Sequence, residues 1–294
     1  MKASENIPFA FFGTPEFAVI VLDELERAGL LPAIIVTAPD RSKGRGLKLT
    51  PPPVKVWADI HGISTLQPKK LNDPGFLSKL KTYDLELFIV AAYGKIIPRT
   101  VTDVPKHGVL NVHPSLLPKY RGPSPVETQI LSDDRNVGVT IMQIDEEMDH
   151  GPVVQNEKVK IKNEEWPLRA STLAKILAHT GGKLLADTIP RWVAGEIAAV
   201  QQDHNEATYC KLIKKEDAHI DLNDNPYQNF LTIQAYDAWP KAYFFAEKNG
   251  KKVRVKITDA NYRDGKLTIK KVIPEGKHEM DYESFLRRNE PTSQ

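Results

Sequence analysis

Three side chains of complementary chemistry stand near the middle of the chain. Asn111 and His113 lie two apart in GVLNVHPSLLPKYRGPSP (residues 108–125), and Asp149 follows in the acidic stretch DEEMDHGP (residues 145–152). A strand alternates its side chains, so Asn111 and His113 leave VLNV on the same side, where the strand runs out. In open α/β sheets that end of the strands is where ligands bind. Pro114, Pro118, Gly122, Pro123 and Pro125 then hold the following loop in a fixed shape. Asp149 precedes Gly151-Pro152, a turn that could bring it back to the same edge. Histidine is the side chain whose pKa lies nearest neutrality. A carboxylate can orient it and stabilise its protonated form, and a carboxamide can donate to a developing oxyanion. Taken singly, His113 reads equally well as a buried, hydrogen-bonded histidine beside a turn, and the acidic stretch reads as a solvated loop. The chemistry belongs to the set.

The elements that must hold this set follow from the apolar pattern. PFAFFG (residues 8–13) is a short buried strand, with Thr14 expected as N-cap of the next helix, Pro15 in its first turn and Glu16 facing the helix dipole. Phe17, Ile20, Val21 and Leu25 give that helix an apolar face ending at Gly29. LPAIIVT (31–37) is a near-continuous β-branched run, as in a strand covered on both faces. The alternation continues with helices near 53–61, 73–82 and 124–132 and strands near 63–66, 85–92, 109–112 and 137–144. A long helix from about Leu168 to Trp192, its pattern interrupted at Gly181-Gly182, closes the first domain. This predicts an α/β fold: a mainly parallel, Rossmann-like sheet with helices on both faces, over residues 1–193.

Residues 194–208 lack periodicity and read as a linker. Beyond them the pattern changes to a helix over 226–237 and strands over 241–273, with hairpin signals at Asn249-Gly250 and Asp264-Gly265. In KKVRVKI, Lys252, Arg254 and Lys256 face one way and Val253, Val255 and Ile257 the other. A smaller β-rich C-terminal domain over 209–294 is expected.

A chain of 294 residues has the length of two domains, and 41% hydrophobic with 27% charged residues excludes a mostly disordered protein. The single cysteine, Cys210, excludes an intramolecular disulfide framework and any cysteine-rich metal site. No apolar run approaches the ~20 residues that cross a bilayer, so no membrane partner is expected. The opening MKASENIPFA lacks the apolar stretch of a secretory signal, which makes the cytoplasm the expected compartment. The net charge of +2 suggests no nucleic acid by itself. Its distribution says more: residues 41–55 carry Arg41, Lys43, Arg45, Lys48 and Lys55 without an acid, and residues 241–256 carry six cations against Glu247. Either segment could hold a polyanion, and either could be a solvated surface.

Common motifs are absent. GTPEFA lacks GxGxxG, GRGLKLT does not match GxxxxGK[ST], and neither HExxH nor GxSxG occurs. His107 and His113 have no metal-ligand pattern, so no metal site is expected. Instead FFGTPEFA, PDRSKGRGLKLTPPPVK, AAYGKIIP, NVHPSLLPKYRGPSP and the turn 145–152, in this order, resemble the formyltransferases that use 10-formyltetrahydrofolate. Within them they look like the methionyl-tRNA formyltransferase family. ATYCKLIKKEDAHIDL and IQAYDAWPKAYFF resemble the start of that family's C-terminal domain, a barrel-like (OB-like) tRNA-binding module, here shortened internally.

The resemblance implies roles residue by residue. Asn111, His113 and Asp149 match the catalytic trio. Ser115, Leu116, Leu117 and Pro118 match the folate-contacting segment, and Tyr93, Gly94, Ile96, Ile97, Pro98 and Asp145 match walls of the pterin pocket. Arg41, Lys43, Arg45 and Lys48 lie in the matching insertion loop, with Arg45 the foremost candidate for the acceptor stem; Lys252 and Arg254 are the tRNA-facing candidates of the C-terminal part. The implied reaction moves a formyl group from folate to the amine of methionyl initiator tRNA, catalysed by a monomer. A sugar-nucleotide N-formyltransferase would keep the trio but has no need of the basic insertion. Glycinamide ribonucleotide formyltransferase has one domain, which leaves 209–294 unexplained. A non-catalytic RNA-binding protein on the same scaffold would have no use for an intact trio.

Overall fold

The protein is described here by a computed structural model covering residues 7–43, 46–248 and 250–287. In chain order the first elements are β1 (Phe9–Gly13), α1 (Glu16–Arg27), β2 (Ile34–Val36), β3 (Arg41–Lys43), β4 (Lys48–Thr50), α2 (Pro53–Ile60), β5 (Thr65–Leu66) and α3 (Pro74–Lys81). There follow β6 (Leu87–Ala91), α4 (Arg99–Thr102), β7 (Val109–His113), α5 (Pro125–Leu131), β8 (Gly138–Gln143), β9 (Val153–Lys158) and α6 (Ala170–Val193). The last are α7 (Pro226–Ala235), β10 (Tyr243–Lys248), β11 (Lys251–Arg263), β12 (Lys266–Pro274), β13 (Met280–Asp281) and α8 (Tyr282–Arg287).

The chain forms two compact units. The first comprises residues up to 123, 136–160 and 174–210; the second comprises 124–135, 161–173 and the chain from 211 onward. The units therefore interleave along the sequence, where the apolar pattern suggested contiguous domains around a linker at 194–208. That segment is seated on the first unit instead: Val200 bridges Val153, and Gln202 is buried. Its polar residues lack periodicity because they serve hydrogen bonds rather than an apolar face.

The first unit holds a seven-stranded sheet of order β5-β2-β1-β6-β7-β8-β9. The pairs from β5 to β7 are parallel, while β8 and β9 are antiparallel additions; β9 is a strand the sequence pattern did not reveal. One face is covered by Val21, Leu22 and Leu25 of α1, Val54 and Trp57 of α2, and Ala178, Leu185 and Ile189 of α6. The opposite face packs against Phe76 and Leu80 of α3 and Val101 of α4. Both faces of the central strands are thus sealed, which is why β1 and β6 read as unbroken apolar runs.

Two local expectations are revised. Thr14 does not cap α1: Pro15 occupies the N-cap and makes no side-chain cap bond, while the Thr14 hydroxyl donates to the Tyr93 carbonyl at 3.2 Å. That bond ties the β1 turn to the loop after β6, an option a reading of one helix at a time cannot see. Gly181 and Gly182 do not interrupt α6. A Cβ on Gly181 would lie 2.6 Å from Val112 Cγ1, and one on Gly182 would lie 2.7 Å from Glu24 Cβ, so the glycines let the helix approach its neighbours.

In the second unit β10, β11, β12 and β13 form an antiparallel sheet in sequence order, and its two outer strands are not paired with each other. Phe244, Val255, Ile257 and Val272 pack on Ile233 of α7 and Phe285 of α8. The Asn225 carboxamide caps α7, accepting from the amides of Tyr227 and Gln228. Among the described residues no helix is long and apolar enough to cross a membrane.

Candidate active site

Strand β7 delivers two members of the trio by its period of two. Leu110 and Val112 enter the core beneath α1 and α6, which turns Asn111 and His113 to the face that Val109 shares. The rise of a strand separates their Cα atoms by about 6.6–6.8 Å along it. Across the ladder Asn111 pairs with Met142 and His113 with Thr140. Thr140 is fully buried; its hydroxyl donates to the Ser115 carbonyl at 2.7 Å and accepts from the Leu117 amide at 3.1 Å. It therefore fixes the loop that leaves His113.

Asp149 arrives by a longer route. Because β8 runs antiparallel to β7, it ends beside Leu110, and the segment to Pro152 doubles back to bring the carboxylate to the histidine. Asp149 takes a left-handed φ of 54°, unfavourable for a residue with a Cβ. Its Oδ1 lies 3.7 Å from His113 Nδ1, and its Oδ2 accepts the Gly122 N–H at 2.7 Å. Nε2 of His113 lies 3.0 Å from the Tyr120 carbonyl oxygen, which can only accept, so Nε2 carries a proton. Nδ1 is left facing the carboxylate. An imidazolium formed here would find an acceptor at each nitrogen.

Around this edge the other residues divide by what their polar atoms touch. Ser115 is buried and its hydroxyl donates to the Lys119 carbonyl at 2.6 Å; Leu117 is buried, while Leu116 and Pro118 are half-exposed. After β6, Tyr93 and Ile97 are buried, Gly94 is exposed and takes φ 78°, Pro98 is half-exposed, and Ile96 is 77% exposed. The Tyr93 hydroxyl is buried without a hydrogen-bond partner among the described residues, and burial pushes its pKa up to about 12. Asp145 accepts from the Glu147 amide at 3.0 Å and meets His150 Nδ1 at 2.6 Å. An Arg99–Glu146 ion pair of 3.0 Å links the start of α4 to the loop after β8. Sequence reasoning counted Gly122 only among the residues that stiffen the loop and passed over Arg121 and Gln202, although an arginine inside a loop of prolines and glycines was a visible signal.

The basic insertion is a hairpin of β3 and β4, with Arg41 opposite Thr50 and Lys43 opposite Lys48. Arg41 and Lys48 are exposed, as are the apolar Leu47 and Leu49. Arg45 and the Lys43 side chain lie outside the described residues. In the second unit Lys252 and Arg254 sit on the outer face of β11 beside Tyr243 and Phe245 of β10. The Lys252 ammonium lies 4.5 Å from the Phe245 ring centre, and the Arg254 guanidinium lies 5.7 Å from that of Tyr243 and 3.7 Å from Glu275.

Comparison with known proteins identifies the family. The formyl transferase family model matches residues 5–189, a span that contains Asn111, His113 and Asp149. A methionyl-tRNA formyltransferase of Chloroflexus aggregans is 44% identical over 235 residues, covering 80% of this chain and 75% of that protein. One of Thermodesulfovibrio yellowstonii is 36% identical and covers 94% of each chain. The solved methionyl-tRNA formyltransferase from Clostridium thermocellum superposes with a TM-score of 0.61 at 15% identity, over 91% of this chain and 98% of that one. With a family match over residues 5–189 and a relative 36% identical over 94% of each chain, the chain belongs to the methionyl-tRNA formyltransferase family.

Proposed function

We propose that this chain transfers the formyl group of 10-formyltetrahydrofolate to the α-amino group of methionine on initiator tRNA, with Asn111, His113 and Asp149 as its catalytic groups. The observation that carries the reading is the shared edge of His113 Nδ1 and Asp149 Oδ1, 3.7 Å apart, on the strand face that also bears Asn111. The surroundings suit the formyl donor. Exposed Ile96 and half-exposed Leu116 and Pro118 offer apolar surface to a flat ring, and the buried Tyr93 hydroxyl has no partner among the described residues.

The bound folate supplies a formyl carbon attached to a nitrogen leaving group. Asn111 donates to the formyl oxygen as it gains charge when the amine attacks. With Nε2–H committed to Tyr120, His113 takes the amine's proton at Nδ1. Asp149 stabilises the imidazolium from the same side. In that form Nδ1–H also faces the oxyanion, and its proton then passes to the departing nitrogen. Acid–base assistance of this kind contributes about 10²–10⁴-fold. The exposed cations Arg41 and Lys48 face the tRNA from the insertion, Lys43 and Arg45 add positive charge to the same stretch of sequence, and Lys252 and Arg254 face the tRNA from the second unit. The chain acts as a cytoplasmic monomer.

The test offers the purified protein 10-formyltetrahydrofolate with either methionyl initiator tRNA or an amino-sugar nucleotide. Formyl-methionyl-tRNA alone is the expected product. Formylation of the sugar nucleotide alone, or of neither, overturns the proposal.

A further inference from the structure

Arg121 is the largest fully buried side chain among the described residues, 1% exposed, and none of the ion pairs there includes it. Burying a guanidinium is costly unless its donors are met. Here they are met by neutral acceptors. Nε and Nη2 both reach Gln202 Oε1, at 3.0 and 2.7 Å. Nη2 also reaches His204 Nδ1 at 2.8 Å, and Nη1 reaches the Tyr209 hydroxyl at 3.3 Å. The Arg121 main chain is held as well, its amide donating to Thr208 and its carbonyl accepting from Cys210.

Gln202 passes this grip onward. It is 6% exposed, and with Oε1 occupied by arginine its amide nitrogen donates to the carbonyls of Asp149 (3.0 Å) and Gly151 (2.6 Å). A carboxamide gripped at its oxygen cannot flip, so both donors stay aimed at the returning loop. Asp149 is thus clasped twice, through its main chain by Gln202 and through its carboxylate by Gly122, the residue after Arg121. The clasp holds a residue whose φ of 54° a free loop would relax. Gln202 lies beyond the residues 5–189 that match the family model.

We propose that Gln202, locked by buried Arg121, is a positioning residue that holds the Asp149 loop in register with His113. This rests on the reading of Asp149 as a catalytic group. Gln202→Glu separates positioning from general stability: a carboxylate keeps and strengthens the pairing with Arg121, but sets an acceptor against two carbonyl oxygens.

The variant should therefore stay folded while residues 145–152 exchange their amide hydrogens at least about 10-fold faster without substrate. The turnover number should fall about 10–100-fold, with KM for each substrate changed by less than about threefold. Arg121→Lys keeps the charge but loses the two-pronged grip; it should show the same pattern more weakly, and it carries the test if Gln202→Glu does not fold. Unchanged exchange, faster exchange with wild-type kcat, or a rise in KM with kcat intact each overturns the proposal. Failure of the wild-type protein to formylate methionyl-tRNA would overturn the reaction assigned above, and the exchange comparison would still decide the clasp.

Discussion

The backbone N–H of Gly122 reaches Asp149 Oδ2 at 2.7 Å, while the other oxygen of that carboxylate faces His113 at 3.7 Å. One oxygen is anchored by the main chain and the other is left for chemistry. A side-chain donor in place of Gly122 would have its own rotamers and its own titration; a peptide N–H has neither.

Gly122 is consequently sensitive to the smallest substitution. Its φ is 115°, and an added Cβ would lie 2.6 Å from the Cys210 carbonyl oxygen. Gly122→Ala is expected to cost about 1–3 kcal/mol from backbone conformation alone, with the steric clash adding to it. Denaturant titration measures that loss. Turnover per folded molecule should fall too, because the amide that holds Asp149 has to move.

In the proposed mechanism Asn111→Ala removes one donor to the developing oxyanion, and it should lower kcat about 10²–10³-fold. KM for folate and for methionyl-tRNA should change little, since the hydrogen bond is made chiefly in the transition state. Near wild-type turnover in the purified variant would remove Asn111 from the mechanism.

Much of the site was legible because β7 obeys a rule that needs no tertiary information. The alternation in VLNVH places Asn111 and His113 on one face whatever surrounds them. The Asp149 position was legible only as a turn signal, since its return path depends on β8 being antiparallel, which local periodicity does not encode. Gln202 was illegible for the same reason: it stands in a stretch without pattern, and its meaning comes from partners 81 and 53 positions away. The Thr14 cap failed because Tyr93, 79 residues on, competes for the hydroxyl. Helices α2, α3, α5, α6 and α7 fell close to their expected spans, each with a strong apolar face or a proline start.

Tyr93 gives a prediction in alkali. Its pKa is pushed up by burial to about 12, against 10.0 for an ordinary tyrosine. The folded state therefore holds this proton more tightly than the unfolded chain does. Its contribution to stability is complete below pH 10 and is lost as pH rises toward 12. In Tyr93→Phe the melting temperature should fall less steeply across that window. At neutral pH the variant should match or slightly exceed the wild type, because the lost hydroxyl had no partner among the described residues. A large loss at neutral pH would mean that the hydroxyl is satisfied after all.

Arg41 and Lys48 test the insertion hairpin. Both are exposed, and neither is in an ion pair among the described residues. Replacing both by alanine should raise KM for methionyl-tRNA and flatten its salt dependence by about 0.7–0.9 log units per log unit of salt for each phosphate no longer neutralised. KM for folate should be unchanged. If tRNA kinetics stay as they were, this hairpin is solvated surface.

The interleaving of the two units, and the seating of residues 194–208 on the sheet, bears on how the chain can be cut. An N-terminal fragment ending where the family match ends, at residue 189, retains every strand of the seven-stranded sheet and all three proposed catalytic side chains. It discards the carboxamide that steadies the third of them. The smallest piece with a complete reaction centre is therefore longer than the smallest piece with a complete sheet, and its C-terminal limit falls past Tyr209, the last side chain that grips the buried guanidinium.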